Sequence, residues 1–228
     1  MKSGLAILML TAVSLAGAPG CGADGNKEPQ APAGSGASSR GDAVAGGQYK
    51  VNPAESKFAA HVGVGGLLAA AGHPHTIAIR EFEGELKADP EKLAPASLRI
   101  VIKAASLGEA GKEFDDKERQ KVNVSVHDEA LETSKYPDIV FKGSVPSVKQ
   151  VGEGRYEATM KGDLTLHGVT RPLSFPVSVR RSGRSLRAAG EFTILHGDYN
   201  IKRLSAGAGM IKAKEEIVIS FDIQADES

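Results

Sequence analysis

Two histidines one residue apart, His73 and His75, flank a proline in the run Gly72-His73-Pro74-His75. Imidazoles held this way beside a turn could begin a metal site if a third ligand joined them, and His61 and His127 are the candidates for that third place. No spacing in the sequence requires the convergence, so two polar loop residues at the edge of a fold is the simpler reading. A histidine-based metal-binding or redox-associated accessory role is therefore the second reading, and no metal is assigned. A serine nucleophile elbow, a phosphate-cradling glycine loop and a metalloprotease helix motif are all missing from the sequence. The acidic runs Glu113, Asp115, Asp116, Glu118 and Glu215, Glu216 are interspersed with Lys or Arg, as solvated surfaces are. The chain reads as a protein that is not an enzyme. Its candidates for gripping a ligand's head group or phosphate are His73, His75, Arg171 and Arg203. For Arg171 a salt bridge or strand-end role weighs more heavily, and for Arg203 an ordinary solvated charge is the competing reading.

Whatever these residues do, something must position them. The chain has 228 residues, 41% apolar and 25% charged, with 28 Lys+Arg against 28 Asp+Glu. That is enough for one sizeable domain with accessory segments. Zero net charge over the whole chain removes the electrostatic reason to expect a nucleic-acid or anionic-membrane surface. A single Cys excludes an internal disulfide framework and Cys-rich zinc sites.

The start of the chain reads as an export signal over residues 1–20: Lys2, an apolar stretch from Leu5 to Leu15, then Ala16, Gly17 and Ala18. The stretch falls short of the ~20 apolar residues that span a bilayer. Ala18-Pro19-Gly20-Cys21 resembles the bacterial lipoprotein cleavage box, with Ala18 where Leu is usual and Pro19 where Ala or Ser is usual. The expectation is a lipidated Cys21, the alternative being an ordinary signal cut after Ala18. Residues 21–46 follow as a Gly, Ala, Pro and Ser tether with no apolar cluster to fold around. Gly22 is not the Asp that favours inner-membrane retention, so the expected place is the periplasm, on an outer-membrane lipid anchor.

Residues 47–228 form the folded domain, and alternation with period two dominates it. The clearest run is Tyr156, Ala158, Met160, Gly162, Leu164, Leu166, interleaved with polar residues. Others are Leu98-Ile100-Ile102, Ile139-Phe141-Gly143-Val145, Leu173-Phe175-Val177-Val179, Leu186-Ala188-Gly190-Phe192-Ile194 and Ile217-Ile219-Phe221-Ile223. Ile77 and Ile79 are out of phase with Phe82, Gly84 and Leu86, which predicts a bulge near Arg80-Glu81. With segments 48–52 and 56–64 this makes about eight or more short-spaced strands, an all-β antiparallel sandwich or barrel. Closure into a barrel removes exposed edges and is favoured. Residues 112–133 differ: Val122, Val126 and Ala130 recur every fourth position among charges, predicting one short helical insertion that ends before Tyr136-Pro137.

A barrel of eight strands has an interior that side chains fill or that holds one small ligand. Ala104, Ala158, Gly162, Gly84, Ala188 and Gly190 on the inner face suggest room at several levels. With aromatic residues at 5% and no Trp, the lining would be aliphatic and suited to hydrocarbon. Small residues that merely fit the taper of a packed barrel explain the pattern equally well. The candidate lining is Leu98, Ile100, Ile102, Phe141, Met160, Leu164, together with Phe175, Val177, Phe192, Ile219 and Phe221.

Gly162-Asp163-Leu164-Thr165-Leu166-His167-Gly168-Val169-Thr170-Arg171-Pro172-Leu173 resembles the most recognisable motif of the YceI-like family of bacterial periplasmic proteins. Supporting pieces occur in order: Tyr49-Lys50-Val51-Asn52 with Ser56, Phe82-Glu83-Gly84, Tyr136-Pro137-Asp138-Ile139-Val140-Phe141, Asp198-Tyr199-Asn200-Ile201 and Glu216-Ile217-Val218-Ile219-Ser220-Phe221-Asp222. The resemblance implies a lipocalin-like antiparallel β-barrel with a helix, holding a polyisoprenoid, fatty lipid or other long-chain amphiphile as ligand, with no other cofactor. It also implies export, frequent dimerisation, and binding or carriage in place of catalysis. The Gly- and Ala-rich loop from Gly63 to His75 departs from the Gly-Phe-type segment of many members.

Overall fold

The computed structural model describes residues 46–228; the expected export signal, Cys21 and all but the last residue of the expected tether lie outside the described residues. The chain makes its barrel from staves, several of them two strands joined by a short break. The first is β1 (Gly47–Val51) and β2 (Lys57–Gly65), parted by a 3-10 turn at Pro53–Glu55. The second is β3 (His75–Ile79) and β4 (Phe82–Ala88). The third is β5 (Ala96–Lys103) and β6 (Leu107–Glu109), with a 3-10 turn at Ala104–Ser106 between them. After a helix come β7 (Asp138–Val145), β8 (Val148–Gly152), β9 (Arg155–Leu166), β10 (Val169–Ser182), β11 (Ser185–Leu195), β12 (Ser205–Ala206) and β13 (Ile211–Glu227).

Hydrogen bonds run in the order β1-β4-β5-β7-β9-β10-β11-β13 and return to β1 through Tyr49↔Glu227. This closes an eight-strand antiparallel ring, so the all-β barrel expected from the alternation is the fold. The long β13 serves both halves of the first stave, pairing β2 from Lys212 to Asp222 and β1 from Ala225 to Glu227. The tight turn between β9 and β10 is His167-Gly168, both with positive φ of 51° and 74°. Positive φ at both central residues gives a turn whose twist matches its strands.

At Arg80-Glu81 the structure has a break in place of the expected bulge. Glu81 N–H donates to Ser106 Oγ at 3.0 Å, and the Glu81 carbonyl accepts from Lys103 N–H at 2.9 Å. The two halves thus pair different strands: β3 with β2 and β6, β4 with β1 and β5. The phase shift between Ile77 and Phe82 keeps both side chains inside across that break.

The predicted helix is present as α1 (Asp116–Val124), which continues into a π-helical turn at Ser125–Ala130. Its start is fixed by a capping box, in which Asp115 accepts from Glu118 N–H and Glu118 accepts from Asp115 N–H. Its place is fixed by a gap. Beyond the Lys103↔Asp138 pair β7 has ended, and the far edge of β6 has no strand beside it. There Asn123 accepts Glu109 N–H at 2.7 Å, and Val126 and Ala130 turn inward onto the core. At the other end, where β1 joins β13, Tyr49, Ala88, Leu186 and Ala225 are buried and the barrel is packed.

Candidate functional site

Between the packed end and the helix lies a cavity of about 530 Å³. Pockets of ~300–1,000 Å³ hold small organic ligands. Of the expected lining, Ile100, Ile102, Phe141, Leu164, Phe175, Phe192, Ile219 and Phe221 are on its wall. Leu98, Met160 and Val177 are not. They sit one or more levels nearer the packed end, where Met160 and Val177 are buried and Leu98 is packed against the core.

Two further expectations are corrected by the wall. None of Ala104, Ala158, Gly162, Gly84, Ala188 and Gly190 borders the cavity. The space over these glycines is already taken: Ile100 and Val51 fill it at Gly84, and Phe221 packs on Gly190. Room comes instead from Ala60, Ala71, Gly72, Ala130, Ala206 and Ala213 near the opening. The wall is also not simply aliphatic. Five of the chain's seven Phe line it, namely Phe58, Phe141, Phe175, Phe192 and Phe221. Phe175 stacks on Phe192 at 4.5 Å between ring centres and meets Phe221 edge-on at 5.8 Å. A low overall aromatic content concealed this concentration in one place.

Polar groups gather only at the mouth, where Lys121, Ser125, Ser205, Lys212, His73, His75 and His196 border the cavity. Among the described residues no Asp or Glu does so. His75 donates from Nδ1 to Glu109 Oε2 at 2.7 Å, and its ring stacks on Phe114 with centres 4.9 Å apart. Glu109 Oε1 accepts from the backbone N–H of Thr76, Ala110 and Gly111, so this buried carboxylate is fully partnered and is not among the lining residues. His73 is exposed and meets the same Phe114 edge-on. His196, 5% exposed, donates from Nδ1 to the Glu215 carbonyl at 3.0 Å.

Arg171 and Arg203 do not reach the cavity wall. Arg171 donates to the Asp198 carbonyl, and Arg203 donates from Nε and Nη2 to the Ala213 carbonyl and pairs with Glu215 at 3.4 Å. Both are exposed clamps on the strand ends. His61 points to the outer surface, where it bonds Ser220 at 2.9 Å and cannot join His73 and His75. Among the described residues no three of His, Cys, Asp and Glu come together as metal ligands. His167 of the family motif is structural: Nδ1 donates to the Tyr199 carbonyl at 3.1 Å and Nε2 to Glu132 at 2.9 Å, tying the β9–β10 turn to the segment after the helix.

Lys121, Lys212 and His196 were missed by sequence reasoning. His196 had a signal, since it is the next inward position after Phe192 and Ile194 on β11. The lysines had none, because an exposed Lys on a helix or strand end looks alike whether or not a cavity opens beside it.

A closed barrel around one apolar cavity, with polar groups confined to its entrance, defines a ligand-holding barrel. Residues 49–225 match the model of the YceI-like domain, and the chain belongs to that family. A UPF0312 protein of Pseudomonas putida is 32% identical over 105 residues, 46% of this chain and 49% of that protein. The chain thus spans about half the length of that relative. A UPF0312 protein of Pseudomonas savastanoi pv. phaseolicola is 29% identical over 149 residues, 63% of this chain and 70% of its own length. Among solved structures, BcnA of Burkholderia cenocepacia superposes with a TM-score of 0.57 at 23% identity, over 76% of this chain and 98% of that one. A polyisoprenoid binding domain from Saccharophagus degradans implicated in plant cell wall breakdown gives 0.56 at 16% identity, over 79% and 98%. At these identities the structural likenesses concern the fold.

Proposed function

We propose that the barrel binds and carries a long-chain amphiphile, an isoprenoid or fatty lipid, with its tail in the cavity and its head group at the mouth. The observation that carries this reading is the division of the wall: apolar throughout its depth, cationic and imidazole-bearing at the entrance, with no carboxylate among the lining residues. Burying several hundred Å² of tail at ~25 cal/mol per Å² offsets the ordering cost of binding and makes passage through water feasible. The name of the Saccharophagus degradans domain, which shares this fold, supports an isoprenoid as the tail class. An anionic head group, phosphate or carboxylate, fits Lys121, Lys212 and the histidines. In this reading the protein is exported and held at the outer membrane through Cys21, and it carries no catalytic group.

The test is to strip the full chain of lipid, add a long-chain prenyl phosphate or fatty acid, and follow thermal unfolding. The expected result is a concentration-dependent rise in Tm that is lost in Ala60→Phe. Ala60 lies on β2 opposite Ile77 and Ile219, both on the cavity wall, so a benzyl group there enters the space of the tail. A rise of equal size in Ala60→Phe would refute binding inside the barrel.

A further inference from the structure

Three large apolar side chains stand uncovered beside the mouth: Leu67 is 92% exposed, Leu68 46% and Met210 42%. They form one surface, because Leu68 N–H donates to the Met210 carbonyl at 3.0 Å and joins the loop after β2 to the β12–β13 hairpin. Immediately behind them Val64, Gly72 and Ile211 meet and border the cavity. The apolar rim is thus continuous with the apolar interior.

The two stretches of chain that carry this rim bring charge of one sign. No Asp or Glu occurs from Lys57 to Arg80 or from Ile201 to Lys214, the two stretches that build this side of the mouth. Lys202 is neutralised by Glu129 and Arg203 by Glu215. Lys212 and Lys214 make no ion pair among the described residues. Exposed Leu and Met with flanking free lysines have the chemistry that seats a protein in the head-group layer of an anionic membrane. The described chain begins at the opposite end, where Gly47 pairs with Ala88.

We propose that the rim docks on a bilayer containing anionic lipid. Leu67, Leu68 and Met210 enter between the head groups and Lys212 and Lys214 lie on the phosphates, so a tail passes between bilayer and cavity without crossing water. This deepens the carrier reading and rests on it. The chain has no Trp, so one introduced indole reports only its own surroundings. Full-length Leu67→Trp is mixed with phosphatidylcholine–phosphatidylglycerol vesicles bearing brominated acyl chains. Val151→Trp is the control, on the exposed β8, which pairs with the start of β9 at the packed end.

The expected result is a blue shift and quenching in Leu67→Trp several times those in Val151→Trp, weakened by salt and in phosphatidylcholine alone. In the Leu67→Asp/Leu68→Asp protein, lipid transfer to acceptor vesicles should fall about tenfold. Quenching in Leu67→Trp no greater than in Val151→Trp would overturn the docking, whether the true partner of the rim is a protein or nothing. Native mass spectra of the same samples separate the two ideas. A filled barrel with an unquenched indole in Leu67→Trp refutes docking alone, and an empty barrel with a quenched one refutes carriage alone.

Discussion

Nδ1 of His75 lies 2.7 Å from Oε2 of Glu109, whose side chain is wholly buried. The same carboxylate gathers three backbone N–H groups, so it fixes both the edge of β3 and the turn leaving β6. An imidazole at the cavity mouth is therefore held by the most heavily bonded buried charge of the barrel. Glu109→Gln keeps an oxygen for the three backbone donors but turns an NH2 toward the Nδ1 donor of His75 and weakens every bond by removing the carboxylate, and the expected loss is about 2–3 kcal/mol in urea unfolding at neutral pH. His75→Ala, whose ring is 31% exposed, should cost less, about 1 kcal/mol. Equal losses, or none in Glu109→Gln, would contradict this division of roles.

Gly162 opposes Gly143 where β9 crosses β7, and the Phe141 ring and Met160 sulfur lie over Gly143. A methyl at Gly162 would collide with the Lys142 carbonyl and the Gly143 Cα, both backbone atoms that cannot swing aside. Gly162→Ala should therefore destabilise by about 2 kcal/mol or more. Gly183→Ala, in an open turn with positive φ and nothing near the added carbon, should cost only about 1 kcal/mol of backbone strain. The two denaturation midpoints, measured side by side, decide it.

Arg187 grips Asp222 with two hydrogen bonds of 2.7 and 2.8 Å between β11 and β13, which holds the carboxyl below its ordinary range. Because the folded pKa is the lower one, this stabilisation is complete above the unfolded value of ~3.9 and disappears as pH falls through the folded value. Both side chains are more than a third exposed, so solvent screening limits the pair to about 0.5–1 kcal/mol. Asp222→Asn should lower stability by that amount at pH 7 and by almost nothing at pH 2, in parallel urea titrations.

Lys121 and Lys212 flank the entrance with no carboxylate on the wall to compete for them. Replacing both with Ala should weaken binding of a long-chain phosphate or carboxylate roughly fivefold, about 1 kcal/mol, and leave the neutral alcohol unchanged. Isothermal titration of the two ligand types against wild type and variant reads this directly. Equal weakening of the alcohol would mean that the lysines support the wall and not the head group.

The barrel was legible because a half-buried strand writes its inner face at every second residue, and β5, β7, β9, β10, β11 and β13 all do so. The depth of a residue along the barrel leaves no such mark. Leu98, Met160 and Val177 share the inward phase of Phe141 and Phe175 and differ only in level, which depends on stagger between strands. The glycines misled for a related reason: whether a missing side chain leaves a void depends on neighbours such as Ile100 and Phe221, which come from other strands. Phe58, Ala60, Val62 and Val64 alternate as clearly as any run and line the cavity, although the segment was read only as a strand. Arg171 and Arg203 show the limit for charges, since carbonyls of Asp198 and Ala213 claim them and no residue type announces a backbone partner.

Whether the cavity of about 530 Å³ holds a lipid tail is read by native mass spectrometry with lipid extraction, on the chain purified after export in a bacterial host without detergent. The expected result is one long-chain amphiphile per barrel, reduced or lost in Ala60→Phe. A wild-type barrel recovered empty, and still empty after incubation with long-chain prenyl phosphates and fatty acids, would contradict it.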